Sequence, residues 1–183
     1  MKHLIKTTLL LLALLLPTLT HAHDIEVDGI YYYIIGTTAF VTYKGSSPSQ
    51  YSNEYSGSVT IPATVTYNNK TYPVTFISYS AFRDCSNLTN INIPNSVTSI
   101  GSYAFSGCSS LTNINIPNSV TYIDGSAFYG CSSLATINIP NSVTSIGNGA
   151  FPGCSSLATI SVASDNPKYD SRNNCNEIGR AHV

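Results

Sequence analysis

Four cysteines recur at a fixed interval of 23 residues: Cys85, Cys108, Cys131 and Cys154. A thiol can serve as a nucleophile, a metal ligand or half of a disulfide, and each role needs different company. A thiolate nucleophile needs a base beside it, most often a histidine. His3, His21 and His23 stand at one end of the chain and His182 at the other, so the body between has no histidine. Ser-His-Asp, Cys-His and His-metal sites are therefore ruled out within that body. A disulfide wants Cβ atoms about 3.8 Å apart, whereas equivalent positions on neighbouring strands stand about 4.8 Å apart. A straight column of sulfurs does not make a zinc tetrahedron either. The four cysteines are thus expected to form a structural ladder of buried free thiols, packing as small apolar groups. Cys175 falls outside the period, and its state is left open.

The carboxylates give no stronger signal. Asp124 is the only charged residue between Cys85 and Ser164. A glycosidase-type acid pair would have to come from residues such as Asp165 and Asp170, and nothing in the pattern supports one. Asp24, Glu26 and Asp28 alternate along one segment, which suits a solvated strand edge better than a calcium site. Gly147-Asn148-Gly149 lacks the remainder of any phosphate-binding motif. No catalytic residue, metal or cofactor is expected, and the chain is read as a non-enzyme.

Composition narrows the partners. Hydrophobic residues make up 43% of the 183-residue chain, enough for a core, while charged residues make up only 9%, against about 25% in an average protein. Nucleic-acid binding needs a basic stripe to displace counterions, and none is present. A net charge of −1 argues against an anionic membrane surface. Residues 1–22 read as a signal peptide: Lys2 and Lys6 ahead of an apolar run over residues 9–16, then Thr20 and Ala22 where a signal peptidase needs small residues. That run is too short to span a bilayer, which takes about 20 residues. Cleavage is expected after Ala22, leaving six basic and nine acidic residues, a net of −3. No cysteine follows the cut to take a lipid anchor, and no membrane insertion is expected after signal removal.

Residues 24–27 and 30–35, joined by Asp28-Gly29, read as a β-hairpin. Strands are expected at 38–43, at 59–61, and at 65–67 with 71–74 around Asn68-Asn69-Lys70. Eight of the thirteen tyrosines lie between Tyr31 and Tyr72. They suit a cap over the open end of a solenoid, with a sugar-stacking or protein-binding patch as the sharper alternative.

Phe82, Phe105, Phe128 and Phe151 share the 23-residue period, as do Leu88, Leu111, Leu134 and Leu157. A strict period of this length is the signature of stacked coils. In Asn90-Ile91-Asn92-Ile93 the alternation is two, so the isoleucines face one way and the asparagines the other. Pro94 lacks an N–H and ends the strand. Val97 and Ile100 return inward, and Ala104-Phe105 suggests a short helical turn. A lone coil cannot offset the entropy of ordering its residues; stacking buries its apolar side and pairs its backbone with the neighbouring coils.

The pattern Leu-x-x-Ile-x-Ile-Pro-x-x-Val-x-x-Ile-x-x-x-Ala-Phe-x-x-Cys, carried by Leu88, Ile91, Ile93, Pro94, Val97, Ile100, Ala104, Phe105 and Cys108, resembles the BspA-like leucine-rich repeats of bacterial surface proteins. The next two repeats match equally well. Val59-Thr60-Ile61-Pro62 and Tyr72-Pro73-Val74-Thr75 resemble that family's N-terminal unit, so the likeness covers residues 24–176. It implies a secreted or cell-surface protein that adheres to host proteins or other cells. The fold expected is a β-rich solenoid, a leucine-rich-repeat-type parallel ladder of 23-residue coils with short helical turns and an antiparallel β N-terminal cap. Its divisions are a signal peptide (1–22), a β cap (23–75), the solenoid (76–162), a truncated further repeat (163–177) and a tail (178–183). The ending EIGRAHV resembles one reading frame of a sequencing adapter, so the tail is read as non-native and the intact protein as longer; a natural tail is the alternative.

The ladder is expected to present Asn90, Asn92, Asn113, Asn115, Thr136, Asn138, Thr159 and Ser161 outward, as a flat, uncharged, hydrogen-bonding face. Such a face suits a broad extracellular protein or glycan better than a small molecule. Two alternatives stand beside it: asparagine ladders that only stabilise the stack, and a structural stalk or spacer for a domain outside this chain.

Overall fold

The computed structural model describes residues 23–45, 47, 53–171 and 178–180. Residues 1–22, read above as a signal peptide, lie outside the described residues, as do Cys175 and residues 181–183. Among the described residues every regular element is a strand: β1 (Ile25–Val27), β2 (Ile30–Ile35), β3 (Thr38–Thr42), β4 (Gly57–Thr60), β5 (Thr64–Tyr67), β6 (Lys70–Ile77), β7 (Leu88–Asn92), β8 (Ser99–Ile100), β9 (Asn113–Asn115), β10 (Tyr122–Ile123), β11 (Thr136–Ile139), β12 (Ser145–Ile146), β13 (Thr159–Val162), β14 (Tyr169–Ser171) and β15 (Ile178–Arg180).

Two ladders run along the solenoid. One has the order β1-β2-β3-β6-β8-β10-β12, with β5 paired to β6. Its first three strands are antiparallel, and from β3 onward the pairing is parallel. The other side of the coils carries the parallel pair β4-β7 and the parallel set β9-β11-β13. β6 crosses residue 75 unbroken and pairs with strands on both sides of it. β15 pairs antiparallel with β14.

Each coil turns the same eight side chains inward. In the first full coil these are Leu88, Ile91, Ile93, Val97, Ile100, Ala104, Phe105 and Cys108, and all are buried. The phenylalanines stack face to face through the axis: Phe82 to Phe105 at 5.2 Å, Phe105 to Phe128 at 5.4 Å and Phe128 to Phe151 at 5.6 Å between centroids, with planes within 5°. Tyr55 closes the N-terminal end of this column, its ring 4.7 Å from Phe82. Its hydroxyl donates to the Thr42 carbonyl (3.0 Å) and accepts the Tyr31 N–H (3.3 Å). Tyr31, Tyr32 and Tyr72 join it in the core. At the far end Asn166 stands one period after Val143 and reaches back, donating to the carbonyls of Pro140 and Val143.

The short helical turn expected at Ala-Phe does not form. A helix would spend every N–H within its own turn. Here the N–H groups alternate. Those of Ala81, Arg83 and Cys85 bond three residues back, to Ser78, Ser80 and Phe82. Those of Ser80, Phe82 and Asp84 point along the stack to the carbonyls of Ser102, Ala104 and Ser106 in the next coil. The same scheme repeats from Tyr103, Phe105 and Gly107, and again from Ser126, Phe128 and Gly130. Alternation requires left-handed residues at two points per coil, as at Tyr103 (φ 56°) and Gly107 (φ 77°). Glycine fills the second point in three coils of four, where Asp84 stands in the first.

Phe128 has rings on both sides and no exposed surface. Phe128→Ala is therefore expected to destabilise the fold by about 3–5 kcal/mol, read by chemical denaturation. Melting close to that of the unaltered chain would contradict the stacked column.

Candidate binding surface

The repeat cysteines carry the strongest chemical signal in the sequence. Cys85, Cys108, Cys131 and Cys154 are buried and free. They do more than fill space. The Sγ of Cys108 donates to the Phe82 carbonyl at 3.0 Å, Cys131 to Phe105 at 3.1 Å and Cys154 to Phe128 at 3.1 Å. These three thiols thus tie their coils to the preceding ones, at carbonyls that already accept the N–H three residues on. Burial pushes the Cys85 thiol up from 9.0 to about 11 and Cys108 well above its ordinary value. Cys131 is raised too, first by its hydrogen bond with Cys154 and then by burial. Raised thiols hold their protons, so Cys85 and Cys108 are poor nucleophiles at neutral pH; Cys154 is shifted the other way, first by its hydrogen bond with Cys131.

The remaining charge of the repeats sits apart, at Asp124. Its carboxylate accepts the Gly125 N–H at 2.6 Å and the Tyr122 hydroxyl at 3.2 Å. The Ser102 hydroxyl, above all, holds its pKa below the ordinary carboxylate range. Among the described residues no cluster of His, Cys, Asp and Glu could hold a metal ion.

The uncharged residues of the strands β7, β9, β11 and β13 form an extended surface that repeats with the fold. Asn90, Asn92, Asn113, Asn115, Thr136, Asn138, Thr159 and Ser161 are all exposed. Strand alternation accounts for this, because Ile91, Ile114, Ile137 and Ile160 between them point into the core. Parallel register aligns Asn113, Thr136 and Thr159 in one row and Asn115, Asn138 and Ser161 in the next. Asn90 and Asn92 pair instead with Ser58 and Thr60 on β4. Between β7 and β9 the only backbone bond across is a long one, Thr112 N–H to Thr89 at 3.5 Å.

Some of these side chains bond along the stack. The Asn90 amide donates to Ser58 Oγ (3.1 Å), and Ser161 Oγ donates to Asn138 Oδ1 (3.1 Å). Asn113 reaches only its neighbour Thr112, at 3.4 Å. Asn92 and Asn115 make no side-chain hydrogen bond among the described residues, so their amides face solvent with donors and acceptor unspent. A further tie was hidden in the sequence: the hydroxyls of Thr98, Thr121 and Thr144 each donate to the carbonyl one coil back, at 3.2–3.3 Å. Their shared 23-residue spacing was the available signal.

The BspA-type leucine-rich repeat region matches residues 75–178, in 6 copies. Among solved structures, a leucine-rich repeat protein from Bacteroides capillosus is 30% identical, over 79% of this chain and 99% of its own, with a TM-score of 0.62. One from Bacteroides ovatus is 32% identical, over 75% of this chain and 41% of its own, with a TM-score of 0.55. The leucine-rich repeat protein of T. pallidum shares the fold at 23% identity and a TM-score of 0.57, over 75% of this chain and 70% of its own. No curated protein matches the chain.

The raised thiols of Cys85 and Cys108 make stability depend on pH in one direction. An acid whose pKa is raised by folding keeps a proton that the unfolded chain gives up, so its stabilisation is complete below the unfolded value. The melting temperature in reductant is expected to stay level up to about pH 9 and to fall as pH rises toward about 11, the window set by Cys85. The four repeat thiols are expected to resist iodoacetamide until the chain unfolds. Alkylation of Cys108 in the folded chain would contradict their placement.

Proposed function

Because the chain belongs to the BspA-type leucine-rich repeat family, we propose that it is a non-enzymatic binding module, exported or held at the cell surface, that adheres to extracellular proteins or glycans of a host or of other cells. The observation that carries this reading is the pair Asn92 and Asn115, exposed on the outer strand face with their amides unspent. Each amide offers two donors and an acceptor to an incoming surface. The face around them is flat and free of charge, so it gives little electrostatic steering. Modest affinity per module, multiplied by recurrence of the same rows, is the expected mode of action. The leader-like segment with Lys2, Lys6 and Ala22 supports export.

A stalk or spacer is the second reading. It draws on the stacked phenylalanines and the inter-coil hydrogen bonds, which bind each coil to the next.

The two readings part in a binding experiment. The chain is presented to immobilised extracellular-matrix proteins and mucin, and saturable binding is measured by biolayer interferometry. Joint replacement Asn92→Ala with Asn115→Ala is expected to weaken binding about tenfold while leaving the circular dichroism spectrum unchanged. Absence of saturable binding by a folded chain would sink the adhesive reading and favour the stalk.

A further inference from the structure

The other ladder carries an exposed face of different chemistry. Its inner row is Tyr32, Val41, Ile77, Ile100 and Ile123, all without exposure and aligned strand to strand. The residues just before or after these in each strand face the opposite way. Their register is Tyr33 to Phe40, Phe40 to Phe76, Phe76 to Ser99, Ser99 to Tyr122 and Tyr122 to Ser145. One outward row therefore crosses six strands and contains four aromatic rings, two serines and no charge.

The rings join into a longer strip. Phe40 and Phe76 lie 5.1 Å apart between centroids. Beyond the strand ends Tyr79 and Tyr103 meet edge to face at 6.0 Å. The Tyr43 phenol, raised first by burial, lies within electrostatic reach of the phenols of Tyr33 and Tyr79 and of the Glu54 carboxylate. Tyr79 is 49% exposed, Tyr103 40% and Tyr122 39%. An aromatic strip left open on a folded surface marks a place where something docks.

The chemistry of the strip selects among partners. A nucleic acid or an acidic lipid surface would require basic side chains, and the row has none. Rings set on successive strands repeat at about the strand spacing of 4.8 Å, close to the length of one sugar unit. A pyranose ring offers an apolar C–H face for stacking and a rim of hydroxyls. The strip offers aromatic faces with a matching rim, in the phenols of Tyr33, Tyr43, Tyr79 and Tyr103 and the hydroxyls of Ser99 and Ser145. At its far end the Asp124 carboxylate, which takes the Tyr122 hydroxyl, provides an acceptor for sugar hydroxyls. An aromatic side chain with a polar tip suits such an amphipathic ligand. A flat sheet favours an extended chain over a monosaccharide, which would need an enclosing pocket.

We propose that this outer sheet face, built on Tyr33, Phe40, Phe76, Tyr79 and Tyr103, binds a linear, uncharged polysaccharide along the row of rings. The site is separate from the asparagine-bearing strands, and the two surfaces are tested by different substitutions.

The chain has no tryptophan, so its emission comes from its thirteen tyrosines, those of the strip among them. The full chain is run in affinity gels containing laminarin, xylan or hydroxyethylcellulose, with heparin as the charged control, and its fluorescence is followed on titration with the same polymers. Retardation by at least one neutral polymer, with a change in tyrosine emission, is the expected result. Tyr79→Ala with Tyr103→Ala, both exposed and outside the core, is expected to weaken retardation about tenfold. Asn92→Ala with Asn115→Ala is expected to leave it unchanged. Retardation by heparin alone, by none of the polymers, or equally by the tyrosine variant would overturn the proposal. Loss of matrix-protein binding in the asparagine variant with polysaccharide binding intact would confirm that the two surfaces are independent.

Discussion

The structure depends on one constraint: each coil must satisfy the backbone of the coil beside it. No coil has a regular element long enough to satisfy itself, and strands such as β8, β10 and β12 are two residues each. Their N–H and C=O groups find partners only across the stack. That requirement explains the strict period. A coil one residue longer would shift every carbonyl away from its donor and turn inward residues out. It also explains why polar side chains reinforce the same direction. The threonine hydroxyls at Thr98, Thr121 and Thr144 and the thiols at Cys108, Cys131 and Cys154 all donate to carbonyls of the preceding coil. A cysteine at this position is a small apolar group and a weak donor at once, which neither alanine nor serine would be.

Much of this was legible in the residues. The alternation Asn-Ile-Asn-Ile states which side of a strand is buried, and the four isoleucines Ile91, Ile114, Ile137 and Ile160 are buried as that alternation requires. The recurrence of phenylalanine at one interval implies that the rings meet. The turn at Ala-Phe was not legible, because alanine and phenylalanine are compatible with a helix and only inter-coil pairing decides against it. The acceptors of the thiols were hidden for a related reason: which carbonyl a thiol reaches depends on how neighbouring coils turn, not on spacing alone. The aromatic strip was the least accessible feature. Tyr33, Phe40 and Phe76 share no period, and they come together only through the register of β2, β3 and β6.

The two faces of the solenoid divide its surface chemistry. One offers amides and hydroxyls on strands that repeat; the other offers rings gathered chiefly where the chain does not repeat. Repetition explains the first, since any outward residue of the coil recurs with it. The second arises at the N-terminal end, where β1, β2 and β3 close the sheet and bring their own outward residues into line with those of β6. The end cap thus adds surface as well as protection, and a change to the cap alone could alter one face while leaving the other untouched.

The ribbon of turns at Ala-Phe has an electrical side. The peptides joining Ser102 to Tyr103, Ala104 to Phe105 and Ser106 to Gly107 take hydrogen bonds from the preceding coil and give them to the next. Their counterparts in the following coil, from Gly125 to Gly130, are oriented alike. Peptide dipoles in the strands alternate and cancel, but those of the ribbon add head to tail. Three parallel columns of dipoles therefore run the length of this edge, adding as in the macrodipole of a helix but with the positive pole toward the C-terminal end, the reverse of a helix. A chain almost without charged side chains in its repeats still carries a directed field along one edge, set by its backbone.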